Sequence, residues 1–356
     1  MWDEDGVIAG VREALRSRGM SIRAAAREVS YDHAYLSRVL AGKQEPSPHL
    51  MTALRALIDV EPRAPSPVGD ADAYVRAATW HFLEHDRTYG GTHVADAAVQ
   101  VWQAEQRNLG SLVDPGAWRV SAVSEIAQIA GWLLHDAGRM DEARRALIES
   151  QMLARQSGDR PRGWFALDLL AMLDVQIEQP GAALRISDEL LSVSDLPPRV
   201  ALITRVRRAR ALALAGDRAR SLAEMDRARG ALQESIAGRD PAWTWWVTDA
   251  EVSGHHGEVL MSLGKDTAAV PYLQRARELV PPVGRGALYY SVAELTALVS
   301  AGAWRDCDTL LVDLAPLLDV VASTRSRARL TQTLRGIERD APPWLVATAR
   351  DVAAAC

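Results

Sequence analysis

The stretch His81–Phe82–Leu83–Glu84–His85 is the first that could do chemistry. Residues four apart share a helix face, so His81 and His85 could reach one zinc ion, as the H-x-x-E-H pattern of one metalloprotease class requires. A catalytic centre would also need a third acidic ligand and a hydrolase framework. The surroundings read as helical scaffold instead, and short motifs recur by chance. His255–His256 with Glu258 is an equally weak ligand set. No phosphate loop, dinucleotide-binding glycine pattern or nucleophile elbow occurs. The reading is of a protein that is not an enzyme, with no cofactor and no metal.

The second chemistry is base reading. Net charge is −5 over the 356 residues, but its distribution is uneven. Between Gly10 and Ile58 stand eight bases (Arg12, Arg16, Arg18, Arg23, Arg27, Arg38, Lys43, Arg55) against four acids (Glu13, Glu28, Asp32, Glu45). A locally basic segment on an acidic chain fits a confined nucleic-acid footprint. An arginine can donate two hydrogen bonds to guanine, and a histidine can pair with a base edge.

The elements that would position these residues are helices. Ile8, Val11 and Leu15 form one apolar stripe, and Gly19 closes it. Ser21 is a good N-cap for a helix over Ile22–Val29. A short turn leads to a helix from about His33 to Leu40, with Leu36, Val39 and Leu40 inward and Gly42 at its end. Ser47–Pro48 opens a fourth helix carrying Leu50, Leu54, Leu57 and Ile58. Two short helices joined by a tight turn can lay the second one in the major groove.

This stretch resembles the Cro/phage-repressor-like (XRE-type) helix-turn-helix. The resemblance is carried by Ser21, Ala25–Ala26, Leu36–Ser37, Gly42–Lys43 and Pro46–Ser47–Pro48, with Ser30 standing where the family often has Gly. It implies that His33, Ala34, Tyr35, Ser37 and Arg38 face bases. It also places Ser21, Arg23, Lys43 and Gln44 at phosphates, which set register rather than sequence.

Three prolines in 60–70 (Pro62, Pro65, Pro67) disfavour helix and read as a semi-rigid linker. The expected domains are therefore 1–60, a linker over 61–70, and 71–356. Beyond the linker apolar residues recur at helical spacing, and the fold class is all-α. Small residues stand twelve apart several times: Gly131 and Ala143, Ala171 and Ala183, Ala209 and Ser221, Gly257 and Ala269. Leu295 and Cys307 form a degenerate fifth pair. Small side chains let the two helices of a hairpin approach closely, so the pattern predicts a solenoid of helical hairpins. An earlier helix pair, about 71–86 and 94–108, lacks the signature.

The whole chain is similar to actinobacterial XRE-type regulators with C-terminal tetratricopeptide (TPR) repeats. The segments that carry this are Ala130–Gly131–Trp132 with Asp136, Gly138 and Ala143, then Asp240–Pro241–Ala242–Trp243, then Ser326–Arg327–Ala328. The resemblance implies that the repeats bind a peptide, small molecule or partner protein and alter DNA binding. The usual groove positions map to Glu125, Gln128, Trp132, His135, Asp168, Met172, Arg210, Glu251, Glu258 and Tyr289. The expected DNA partner is a palindromic double-stranded operator bound by a homodimer. The alternative is a TPR interaction adaptor with little sequence-specific DNA binding. Two cysteines, an acidic N-terminus without signal-peptide layout and no long apolar run point to the cytoplasm and away from membranes.

Overall fold

The computed structural model describes residues 7–8, 11–12, 15, 22, 25–26, 29, 31–47, 50–51, 53–54, 70–232, 234–235 and 240–354, with only the backbone described at 70–73. The linker expected over 61–70 lies outside them except for Asp70, as do Ser21 and Arg23. Every regular element among the described residues is a helix.

The helix-turn-helix segment is built on one apolar core. Val7, Val11, Ala25, Ala26, Leu36, Val39, Leu50 and Leu54 are almost fully buried in it. Helix α1, His33–Leu40, starts where the Asp32 side chain accepts a hydrogen bond from Tyr35 N at 2.9 Å. Ser47 Oγ accepts from Leu50 N at 3.1 Å, the cap expected for the following helix.

The rest of the chain is a helical repeat. Helices α2 (Asp70–Tyr89) and α3 (Ala95–Gly110) precede α4 (Gly116–Asp136), α5 (Met140–Ser157), α6 (Arg160–Gln176) and α7 (Pro180–Leu191). Then follow α8 (Pro198–Leu214), α9 (Arg218–Ala231), a 3₁₀ turn at Ala242–Trp246, α10 (Asp249–Ser262) and α11 (Asp266–Leu279). The chain ends with α12 (Arg285–Ser300), α13 (Trp304–Val320), α14 (Thr324–Asp340) and α15 (Pro343–Ala354).

One turn recurs and organises these helices. Gly138, Gly216, Gly264 and Gly302 are left-handed, with φ of 78°, 77°, 67° and 69°, and Glu178 takes the same conformation at 56°. Each stands seven residues after the first member of a twelve-spaced pair. The next N–H then donates to the carbonyl five residues back: Arg139 to Leu134 at 2.9 Å, Gln179 to Asp174 at 2.7 Å, Asp217 to Leu212 at 2.9 Å. Lys265 to Leu260 at 2.9 Å and Ala303 to Leu298 at 3.0 Å complete the set. This is a helix C-cap that a left-handed residue permits and that glycine adopts without Cβ strain.

The twelve-spaced pairs are the crossing points. Ser221 Oγ donates to the Ala209 carbonyl at 2.8 Å. A Cβ at Gly131 would lie 2.7 Å from Leu147 Cγ, and one at Gly257 2.5 Å from Leu273 Cγ. Ala143, Ala183, Ala269 and Cys307 have no exposed surface. The long step from the third unit to the fourth holds the 3₁₀ turn, whose Trp243 stacks on Phe165 at 4.5 Å and donates from Nε1 to the Pro161 carbonyl at 2.9 Å. That tryptophan fills a gap between helices.

The first helices of the units, α4, α6, α8, α10 and α12, pack side by side as an inner layer continued by α14. The layer returns on itself: α2 touches both α4 and α12, and α14 touches α4. Ala322 N donates to the Tyr89 carbonyl at 2.7 Å, and Thr92 N donates to the Ala322 carbonyl at 3.1 Å. The repeat region is therefore a closed ring rather than an open trough.

Candidate functional site

The inner helices bring most of the expected groove residues into a buried polar interior. On α4, Trp132 Nε1 donates to Asp86 Oδ2 at 2.9 Å, and the Arg285 guanidinium lies over the Trp132 ring at 4.8 Å. Arg285 Nε donates to the same Asp86 oxygen at 3.0 Å. On α6, Asp168 accepts two hydrogen bonds from Arg207, at 3.1 and 3.2 Å. On α10, Glu251 Oε1 lies 2.9 Å from His255 Nε2, and Glu251 Oε2 accepts from Tyr290 at 3.0 Å. Glu258 pairs with Arg210 at 3.4 Å and with Arg329. The Arg325 guanidinium lies over the Tyr289 ring at 4.8 Å.

Two expected groove residues lie beside this cluster. Glu125 pairs with Arg162 at 3.1 Å, and Gln128 meets the same arginine at 3.5 Å. Met172 is half-buried and packs against the apolar core of the first units.

Burial and charge set the protonation states here. Burial raises the Asp86 carboxyl, against the pull of Arg285, with Asp136 adding to the rise and Trp132 opposing it. Burial likewise raises Asp168 against Arg207. Glu251 is driven the other way: burial resists, but His255 and Arg207 bring it down to about 2. Arg329 and Arg210 overcome burial in the same manner and hold Glu258 at about 2. His135 falls well below the usual imidazole value because it is buried, and the charges of Arg325, Arg285 and Arg207 lower it further.

The other site is α1. His33 and Ala34 are exposed on its first turn, and Ser37 and Arg38 are half-buried. Arg38 Nε donates to Gln44 Oε1 at 2.9 Å, and Lys43 N donates to the Arg38 carbonyl at 2.9 Å. Lys43 is exposed, and with Arg12 and Gln44 it borders an open groove at the end of the helix. Tyr35, expected at the bases, is instead only 8% exposed. Its hydroxyl accepts from Ser47 N at 2.9 Å, so the ring is a strut of the core.

Residues 11–64 match the family model described as Helix-turn-helix. The N-terminal segment is an XRE-type helix-turn-helix domain. No curated protein matches the chain. The helix-turn-helix domain meets the repeat region at a cleft where Asp32, Tyr35 and Ser47 face Arg199, Asp240 and Trp245. Arg199 opens α8 and donates to the Leu232 carbonyl at 2.6 Å and to Ser235 Oγ at 2.7 Å.

The metalloprotease-like motif lies on α2, where Glu84 and His85 make local contacts. Glu84 pairs with Arg87 at 2.8 Å, and the His85 ring lies 5.2 Å from Tyr89. Among the described residues no group of three His, Cys, Asp or Glu side chains could hold a metal ion. None of their helices is long and apolar enough to cross a membrane. The sequence reading missed Asp86, Arg207, Arg285, Arg325 and Arg329 as interior residues. Arg207 stands three before Arg210 and shares its helix face, which was a usable signal. Asp86 and Arg325 belong to helices without the small-residue signature, so no template placed them.

Proposed function

We propose that the protein is a sequence-specific transcriptional regulator whose TPR-type ring senses an effector and tunes operator binding. The single observation that carries this is α1: a second helix of a matched helix-turn-helix whose first turn exposes His33 and Ala34, with Arg38 and Lys43 following. His33, Ala34, Ser37 and Arg38 read base edges, and Lys43 and Gln44 hold phosphates together with Ser21 and Arg23. The protein binds as a homodimer on a palindrome, each α1 entering the major groove one helical turn apart.

The coupling runs through α8. That helix carries Arg199 at the cleft beside the helix-turn-helix, and Arg207 and Arg210 in the ring interior. An effector that binds the DNA-competent and incompetent states with different affinity shifts the DNA-competent population. Exposed Leu112, Val113 and Trp118 favour the second reading, a protein-docking adaptor. Titrating salt against binding to duplex DNA separates the two. Phosphate contacts release counterions, so a regulator loses affinity steeply as salt rises. A flat response would favour the adaptor.

A further inference from the structure

We infer that the centre of the ring binds a small oxyanion, a carboxylate or phosphate group, between His135, Arg325 and Arg285. The inference rests on the reading of the ring as the sensing half of the protein. His135 is 1% exposed, and neither of its ring nitrogens has a hydrogen-bond partner. Buried imidazoles are nearly always paired, because an unmet donor or acceptor keeps its full desolvation cost. His135 belongs to α4, yet the charges that act on it come from α14, α12 and α8 across the ring. The geometry agrees: the His135 ring lies 5.6 Å from Trp132, on which Arg285 stacks, and Arg325 pairs with the adjoining Asp136.

The two guanidiniums have one flat face covered by a ring; Arg285 spends its Nε on Asp86, whereas Arg325 keeps its Nε unmet. Arg325 lies on Tyr289 and Arg285 on Trp132, each at 4.8 Å. Arg325 Nε is buried without a partner, and its Nη2 reaches Asp136 only at 3.5 Å. Stacked guanidiniums keep in-plane N–H groups that match the two oxygens of a carboxylate or phosphate. The unmet atoms of His135 and Arg325 include more donors than acceptors, and the guanidinium charge beside them is positive. An anion answers both. Asp86 Oδ1 is also buried and unpaired, and it is an acceptor. It fits a hydroxyl or amine carried by the same ligand.

The test uses the full chain and two probes, inorganic phosphate and citrate, at constant ionic strength with chloride as the reference. The thermal midpoint is expected to rise saturably with one of them, by roughly 2 °C at ten times the dissociation constant. His135→Leu and Arg325→Lys should each abolish the rise while keeping a cooperative transition. Arg339→Ala, on an exposed surface, should leave it intact. A rise with phosphate alone identifies a phosphoryl ligand, and a rise with citrate alone a carboxylate. No saturable rise with either probe overturns the proposal, and the imidazole is then met by internal water only. An equal rise in wild type, His135→Leu and Arg325→Lys also overturns it, as a surface salt effect. Operator binding is measured in parallel. Probe binding that needs His135 but leaves DNA affinity unchanged keeps the site and removes the sensing role.

Discussion

Asp86 and Arg285 stand 199 positions apart and meet at 3.0 Å between Oδ2 and Nε. The first helix of the repeat region is thereby pinned to the last full unit, and Trp132 donates to the same oxygen from between them. The Asp86 side chain is 4% exposed, so removing its cation leaves a buried carboxylate unpaired. Arg285→Ala should therefore cost about 3–5 kcal/mol in urea unfolding. Asp86→Asn, which keeps the shape and one acceptor, should cost less. Equal and small effects would show that the ring is held closed elsewhere.

Glu178 is the odd residue in a set of five equivalent turns. Its neighbours in the set are glycines, and a side chain in the left-handed region costs about 1–2 kcal/mol. Glu178→Gly should stabilise the protein by up to about 1 kcal/mol, because glycine's own entropic cost offsets part of the relief. Gly216→Ala should destabilise it by a similar amount. Thermal melts of both variants check the sign.

Gly257 and Leu273 are packed at their limit. A Cβ at position 257 would come within 2.5 Å of the leucine side chain. Gly257→Ala should cost about 1–3 kcal/mol by overpacking. Combined with Leu273→Ala it should cost less than the sum, since the second change makes room for the first. Additive costs would mean that the two helices can slide apart freely.

Acid should unfold the protein earlier than its carboxylates alone dictate. His256 is lowered to about 4 by burial and by Arg229, against Asp226, with its ring stacked on Tyr272 at 4.0 Å. The unfolded chain then binds a proton that the native state refuses between about pH 6.5 and 4. Stability from this group is complete above pH 6.5 and is lost as pH falls through that window. His135 and His255 are lowered too and act in the same direction, while the raised Asp86 and Asp168 oppose them. His256→Phe should gain on wild type steadily from pH 6.5 to pH 4 in urea midpoints. A constant gap would show that His256 titrates normally.

Much of this was legible because glycine and alanine mark where backbones approach. Gly131, Ala209 and Gly257 announced the hairpins, and the twelve-residue step gave their register. Of the positions on one face of each first helix, Trp132, Asp168, Arg210, Glu251 and Glu258 have polar partners on neighbouring helices, whereas Met172 packs against the apolar core. Ring closure was not legible: contacts such as Asp86 with Arg285 join segments with no shared pattern, and spacing within a unit carries no information about the solenoid's curvature. Tyr35 misled because its position on α1 suits a base contact, whereas its hydroxyl fits Ser47 in the core.

In the DNA-reading half, Arg38→Ala should weaken operator binding by about 1–3 kcal/mol and relax one base position. Lys43→Ala should weaken binding to all sequences alike and flatten the salt dependence by about one ion.

The most direct test is binding-site selection with the purified full chain from fragmented genomic DNA of its source, at physiological salt, with and without phosphate and citrate. The account requires enrichment of one palindromic site, lost with Arg38→Ala. Retention of DNA without sequence enrichment under every condition, or enrichment that Arg38→Ala leaves unchanged, would contradict it.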